Sequence, residues 1–318
     1  MKKIFLIVCL FLTFSISGCK VETAKACATN YPVYYLIQKI GGSFVEPCNL
    51  SKNTLIQRGQ ISDTFNDDLN DSDILFYISG LEPYFTIYQD DISKAKFDKV
   101  DLASASAIYK FQRVTTSTLN NQSVSVESPY YEGEAFTNVD IYEKDVTIWM
   151  DPNSMMSMAK TIADYFINNY PENAEIFQDN YNKLEVDLAQ LDAAFQTLRN
   201  ENKMISFVSM TPNFGNWQKS YGFKVYPVSI SKYGALPSAE QLEIIKMKII
   251  QDDVKYIAHE ENLPADMEEL FLQLESELGL IPISLNNISS ITESSMQNNK
   301  DYLSLMYENL AQLESVGG

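Results

Sequence analysis

Histidine is nearly missing from this chain: among 318 residues there is one, His259. A zinc site rich in imidazole cannot be assembled, an HExxH helix cannot exist, and a Ser-His-Asp triad would have to use that one ring. Basic residues are scarce as well, 24 against 42 acidic ones, which leaves a net charge of -18 and a pI near 4.4. Such a surface repels phosphate backbones and excludes nucleic acid as a partner. No phosphate-cradling glycine loop, dinucleotide fingerprint or activated nucleophile is present, which argues against an enzyme. What remains is an ordinary globular composition, 45% hydrophobic and 21% charged, in a length that suits two compact lobes.

The one long apolar run sits at the start. Lys2 and Lys3 precede it, it extends from Ile4 to about Phe14, and Ile16-Ser17-Gly18-Cys19 closes it. It is too short to span a bilayer, which takes roughly 20 residues. It reads as a secretory signal over residues 1–18 ending in a lipobox, with small residues ahead of a cysteine that receives lipid. The competing reading, a plain signal with a chance cysteine, leaves the placement of Cys19 unexplained. Loss of Lys2 and Lys3 leaves 22 basic against 42 acidic residues, a net of -20. The expected product is an acidic domain tethered to the extracytoplasmic face of a membrane. Of four cysteines, Cys9 leaves with the signal and Cys19 carries lipid, so Cys27 and Cys48 remain. In an exported chain this pair is expected to form a disulfide rather than two buried thiols.

Along the chain, short apolar runs alternate with helical patterns, which predicts α/β layers. Strands are expected at Ala26–Thr29, Phe44–Cys48 and Ile74–Ser79, with a helix from Val33 to Ile40 stopped by Gly41-Gly42. Residues 110–147 read as a polar, tyrosine-rich loop or hairpin. Met155 to about Asn200 reads as helix interrupted near Tyr170-Pro171, its second half carrying Ile176, Tyr181, Leu184, Leu188, Leu191 and Phe195 on one face. Strands at 205–209, 225–228, 255–258 and 281–285 alternate with helices at 238–250 and 267–278, and a last helix spans 302–313. The fold class is α/β, with two lobes, each a small and mainly parallel sheet flanked by helices, joined by one long rigid helix. The lobes are residues 19–152 and 201–318, and the linking helix is 153–200.

Several ordered motifs make the chain resemble the zinc and manganese solute-binding lipoproteins of ABC importers. They include Thr29-Asn30-Tyr31-Pro32 with Ile40-Gly41-Gly42, Asp73 through Gly80 followed by Leu81-Glu82, and Trp149-Met150-Asp151-Pro152. Tyr170-Pro171-Glu172-Asn173-Ala174, Asn180-Tyr181, Phe214-Gly215 with Tyr221-Gly222, Leu236-Pro237-Ser238 with Gln241-Leu242, and Asp301-Tyr302 with Met306 continue the match. The resemblance implies capture of a divalent cation, zinc or manganese, between two lobes. It also implies a monomer with an ABC permease as partner.

The resemblance also locates the ligands, and here this chain departs from the pattern. The family's histidines, or histidines and a glutamate, fall on Gln57, Thr147 and Thr211. Its aspartate falls on Asn286, or with a gap on Asn287 or Ser289. All are neutral oxygen-bearing side chains, whereas zinc favours imidazole or thiolate and its charge is offset by deprotonated ligands. Hydroxyls and amides assist a hard cation only beside carboxylates and carbonyls. The acidic run Glu127, Glu132, Glu134, Asp140, Glu143 and Asp145 is read as a solvated loop. Glu260 matches a glutamate recurring at this strand end in the family. With His259 it makes an accessory cation site the sharper reading, and a surface histidine flanked by acids the plainer one.

Tyr34, Tyr35 and Trp149 are expected to pack the lobes, while Tyr31, Tyr130 and Tyr131 are left open between packing and stacking on a ligand. Asp151 before Pro152 is expected to cap the linking helix. The leading function is an extracytoplasmic solute-binding lipoprotein of the metal-uptake class with its usual site substituted. The alternatives are an adhesin-like surface lipoprotein that kept the fold, and a binder of a neutral or organic solute held by Gln57, Thr147, Thr211 and Asn286.

Overall fold

The computed structural model describes residues 23–52, 55–119, 122–201 and 204–316. The signal segment and Cys19 lie outside the described residues. In the first lobe, β1 (Ala24–Ala28) runs into helix α1 (Tyr31–Gly41), and β2 (Val45–Asn49) follows. Asn30 starts α1 by accepting the Val33 amide on its side chain at 3.1 Å, with Pro32 in the first turn. Gly42, at φ 55, ends the helix in a conformation that a side chain would resist. Next come α2 (Phe65–Asp71), β3 (Ile74–Tyr77), the short helices α3 (Pro83–Ile87) and α4 (Gln89–Lys94), and β4 (Asp98–Asp101). The four strands form one parallel sheet in the order β2-β1-β3-β4. Its central strands are small or apolar, as a sheet covered on both faces requires.

Residues 110–147 contain an antiparallel hairpin, β5 (Arg113–Leu119) and β6 (Gln122–Ser128), followed by irregular chain. The segment 153–200 differs from a single broken helix. It forms α5 (Pro152–Asn169) and α6 (Ala174–Asn200), which fold back on each other. Asn153, at the start of α5, donates to Asp192 of α6 at 2.9 Å, while Phe166 and Phe177 meet at the other end. Pro171 is the cause: it has no amide hydrogen and bars its predecessor from the α region, and Tyr170 sits at φ -131, ψ 66. The long helix of the fold is α6, 27 residues and about 40 Å long, with α5 folded against it. Asp151 does cap α5, accepting the Asn153 amide at 2.9 Å.

The second lobe comprises β7 (Ser206–Ser209), α7 (Asn216–Tyr221), β8 (Lys224–Pro227), α8 (Ala239–Gln251), β9 (Tyr256–His259), α9 (Ala265–Leu278), β10 (Ile281–Ser284), α10 (Glu293–Gln297) and α11 (Tyr302–Val316). Its sheet is also parallel, ordered β10-β9-β7-β8. Counted within each lobe, both sheets have the same order, 2-1-3-4. The turn at Ile148–Met150 pins the lobes together. Trp149 Nε1 donates to Asn287 O at 2.8 Å, Tyr302 Oη to Trp149 O at 2.6 Å, and Trp217 Nε1 to Met150 O at 2.7 Å. Both indoles are fully buried in one core that runs through both lobes.

Cys27 and Cys48 are register partners on β1 and β2, joined as a disulfide with Cα atoms 4.5 Å apart. Their sequence separation is 21 residues, for which the chain-entropy model gives about 3 kcal/mol. A Cys27→Ala/Cys48→Ala variant is expected to lose about that much unfolding free energy in urea, with dithiothreitol doing the same to the oxidised parent. A loss below about 1 kcal/mol would mean that the strand pair needs no covalent support.

A candidate site in the inter-lobe cleft

Ligands of open parallel sheets meet the crevice beyond the carboxyl ends of the strands where the strand order reverses. Here that crevice lies between β1 and β3 in one lobe and between β7 and β9 in the other. In each lobe the third strand is followed by a buried glutamate, Glu82 after β3 and Glu260 after β9. Each accepts hydrogen bonds from the residues leaving the first strand of its own lobe. Asn30 Nδ2 donates to Glu82 Oε1 at 2.9 Å, and the amides of Met210 and Thr211 donate to Glu260 Oε1 at 2.7 and 2.9 Å. Thr211 Oγ1 and Asn287 Nδ2 complete Glu260 through Oε2, at 2.6 and 2.7 Å. Glu82 Oε2 has no such completion among the described residues.

A third carboxylate, Asp145, is also buried. Asp145 Oδ1 accepts from Thr147 Oγ1 at 2.5 Å and from the Thr147 amide at 3.2 Å. It lies over the turn that opens α7, where a Cβ on Gly215 would collide with its carboxylate. That contact explains the glycine, whose φ of -57 is open to any residue. The reading of Asp145 as one of a solvated run is thus corrected: it is 4% exposed, while Glu127, Glu132, Glu134, Asp140 and Glu143 are exposed. Burial pushes Glu82 up to about 7 and Asp145 up to about 6, and raises Glu260 too. None of the three makes an ion pair among the described residues.

The residues onto which the resemblance places the ligands, Gln57, Thr147, Thr211 and Asn286, are all buried. Thr147 and Thr211 each hold one of the carboxylates just described. Gln57 crosses between lobes, its Nε2 donating to Asn213 Oδ1 at 2.5 Å, and this leaves Gln57 Oε1 and Asn213 Nδ2 without partners among the described residues. Asn286 turns elsewhere, donating to Glu261 Oε2 at 2.9 Å and accepting the Ile288 amide at 2.7 Å. It is Asn287 that reaches the cleft network, with Ser289 Oγ donating to it at 2.7 Å. His259 stays outside: half-exposed, stacked near Phe271, with Nε2 3.1 Å from Glu268. Tyr130 and Tyr131 are buried with their hydroxyls held, Gln218 donating to Tyr130 Oη at 2.8 Å and Tyr131 Oη donating to Pro227 O at 2.9 Å. Among the described residues no three His, Cys, Asp or Glu side chains gather closely enough to hold an ion by themselves. Glu82, Asp145 and Asn213 are the site groups that sequence reasoning passed over. The signal that could have found Glu82 is its position, which repeats that of Glu260 behind the third strand.

Residues 27–316 match the family model of ZnuA, zinc-uptake complex component A, periplasmic. The chain belongs to the ZnuA family. It is 28% identical over 175 residues to the zinc-binding lipoprotein AdcA of Streptococcus pneumoniae strain R6, covering 55% of this chain and 34% of that one. It thus spans about a third of the length of the curated relatives it matches. Zn(II)-bound AdcA from Streptococcus pneumoniae superposes with a TM-score of 0.70 at 22% identity, over 93% of this chain and 58% of that one. The laminin-binding adhesin Lmb of Streptococcus agalactiae, in a mutant structure, gives 0.72 at 18% identity, over 92% and 99%. At these identities the structures speak to the fold alone. Proteins of the ZnuA family are solute-binding components rather than enzymes and work with an ABC permease and its ATPase. No helix among the described residues is long and apolar enough to cross a membrane.

Glu82 makes the folded chain bind a proton between its ordinary 4.5 and about 7, where the unfolded chain does not. Stability from this residue is therefore lost as pH rises through that window. Glu82→Gln, which removes the charge, is expected to be the more stable form at pH 8, with the advantage disappearing near pH 5. Urea unfolding of both proteins across that range measures the difference, and a pH-independent gap would reject the assignment.

Proposed function

We propose that the chain is the extracytoplasmic solute-binding subunit of an ABC importer of the metal-uptake class, anchored by lipid on Cys19 and acting as a monomer. Its cargo is a divalent cation held between the lobes. The observation that carries this reading is the charge of the cleft: Glu82, Asp145 and Glu260 are buried carboxylates with raised pKa values and no cationic partner among the described residues. A buried carboxylate oxygen left without a donor, as Glu82 Oε2 is among the described residues, is costly, and a cation entering between the lobes offsets that cost. A neutral solute would leave the carboxylates as they are.

The donors decide which cation. Thr147, Thr211, Gln57, Asn287 and the carboxylates offer oxygen only, which suits a hard ion that keeps some water, so manganese is better served than zinc. Gln57 Oε1 and Glu82 Oε2, uncommitted to any other group among the described residues, are available to it. Large closure is not needed, because Arg58 already bridges the lobes, with its guanidinium on Asp266 at 2.7 and 2.8 Å and on Gly234 O.

The test uses the chain from Lys20 onward, purified without chelator. Elemental mass spectrometry and calorimetry with manganese and zinc are expected to find one ion per chain, bound about tenfold more weakly in Asp145→Asn and in Glu260→Gln. No metal above background, with no heat of binding at millimolar concentration, would sink the cation reading and send the search to organic solutes.

A further inference from the structure

A second site lies apart from the cleft carboxylates. A cavity of about 720 Å³ opens between the β5–β6 hairpin, the start of β8 and helix α8, and none of Glu82, Asp145 or Glu260 lines it. Its volume is that of a small-molecule pocket. Arg113, at the base of the hairpin, is 8% exposed and lies over the Tyr226 ring at 4.5 Å. Its Nη2 donates to Tyr226 Oη at 2.6 Å and to Asp252 Oδ2 at 2.5 Å. Those two bonds tie the base of the hairpin to β8 and to the residue that follows α8. They leave Nε and Nη1 with no hydrogen bond among the described residues, although a guanidinium carries five donors.

The other cations around the cavity are Lys224 and Lys248. Lys248 shares Asp252 with Arg113, at 3.1 Å from Oδ1. Burial opposes ionisation of Asp252, but the bonds from Arg113, Tyr226 and Lys248 outweigh it and hold the carboxyl at about 2. Lys224 has no carboxylate partner among the described residues. Three cations thus meet two lining carboxylates, Asp252 and the exposed Glu132. A local cationic surplus on a chain of charge -18 is unusual and concentrates anions. The rest of the wall is mixed: Thr115, Ser128 and Gln251 are polar, while Tyr131, Ile244 and the 59% exposed Met247 give it an apolar side.

We propose that this cavity binds a small organic carboxylate, its carboxyl group taken by Arg113 and Lys224 and its apolar body resting on Tyr131, Ile244 and Met247. Arg113 suits the role because its planar fork matches a carboxylate.

Three probes separate the parts of the assignment: benzoate, its neutral isostere benzamide, and inorganic phosphate, each titrated calorimetrically into the chain from Lys20 onward. Benzoate is expected to saturate at one per chain, with benzamide and phosphate weaker by about tenfold or more. Replacing Arg113 risks loosening the hairpin, so Lys224→Glu carries the decisive comparison; it leaves Arg113, Tyr226 and Asp252 in place. With an unchanged circular dichroism spectrum, it is expected to weaken benzoate about tenfold. No saturable benzoate binding, equal binding of benzamide, or an affinity untouched by Lys224→Glu would each overturn the site. Phosphate binding more tightly than benzoate would overturn its organic half.

Discussion

The cleft is organised by a requirement that buried carboxylates impose: an anion shut away from water must be surrounded by donors or meet a cation. Glu260 satisfies it with four hydrogen bonds from Met210, Thr211 and Asn287, which tie the ends of β7 and β9 and the loop after β10 to one point. Glu82 meets it only in part, through Asn30, which also caps α1. The two lobes thus repeat one device at the same place in the same strand order. The copies differ in how far they are completed: Glu260 takes four bonds, two of them from backbone amides, whereas Glu82 takes the Asn30 bond on Oε1 and its Oε2 is unpaired among the described residues.

The lobes that carry those two copies are joined by a few specific hydrogen bonds. The Ile148–Met150 turn gives its carbonyls to Trp217 and Tyr302, and its indole donates to the carbonyl of Asn287, the residue whose side chain completes Glu260. Thr147, the residue before that turn, grips Asp145. The connection between core and site is therefore one residue long, and α6 with α5 folded against it makes the connection stiff.

Much of this was legible in the residues. Parallel strands announced themselves as short apolar runs with small residues, and Asp151-Pro152 marked a helix start that the structure bears out. The fold back at Tyr170-Pro171 was written in the sequence as a break, but a break alone does not say whether a helix resumes its direction. That is decided by the contacts of Phe166 with Phe177 and of Asn153 with Asp192, which are distant in sequence. Asp145 was illegible for a similar reason. It stands among five exposed acids, and only the glycine at 215, seventy residues on, makes room to bury it. Asn286 and Asn287 differ by one position, and side-chain direction reverses between neighbours, so no reading of composition could choose the one that meets Glu260.

Thr147 and Thr211 present the same arrangement in the two lobes. In metal sites a ring that binds the ion commonly passes its other N–H to a carboxylate, which fixes the ring and strengthens it as a ligand. Here each threonine hydroxyl points at just such a carboxylate, Asp145 or Glu260, at 2.5 and 2.6 Å. A hydroxyl in such a place offers oxygen and no nitrogen, and it leaves the carboxylate behind it where it is. Donors of that kind suit a hard cation better than zinc, which favours imidazole or thiolate.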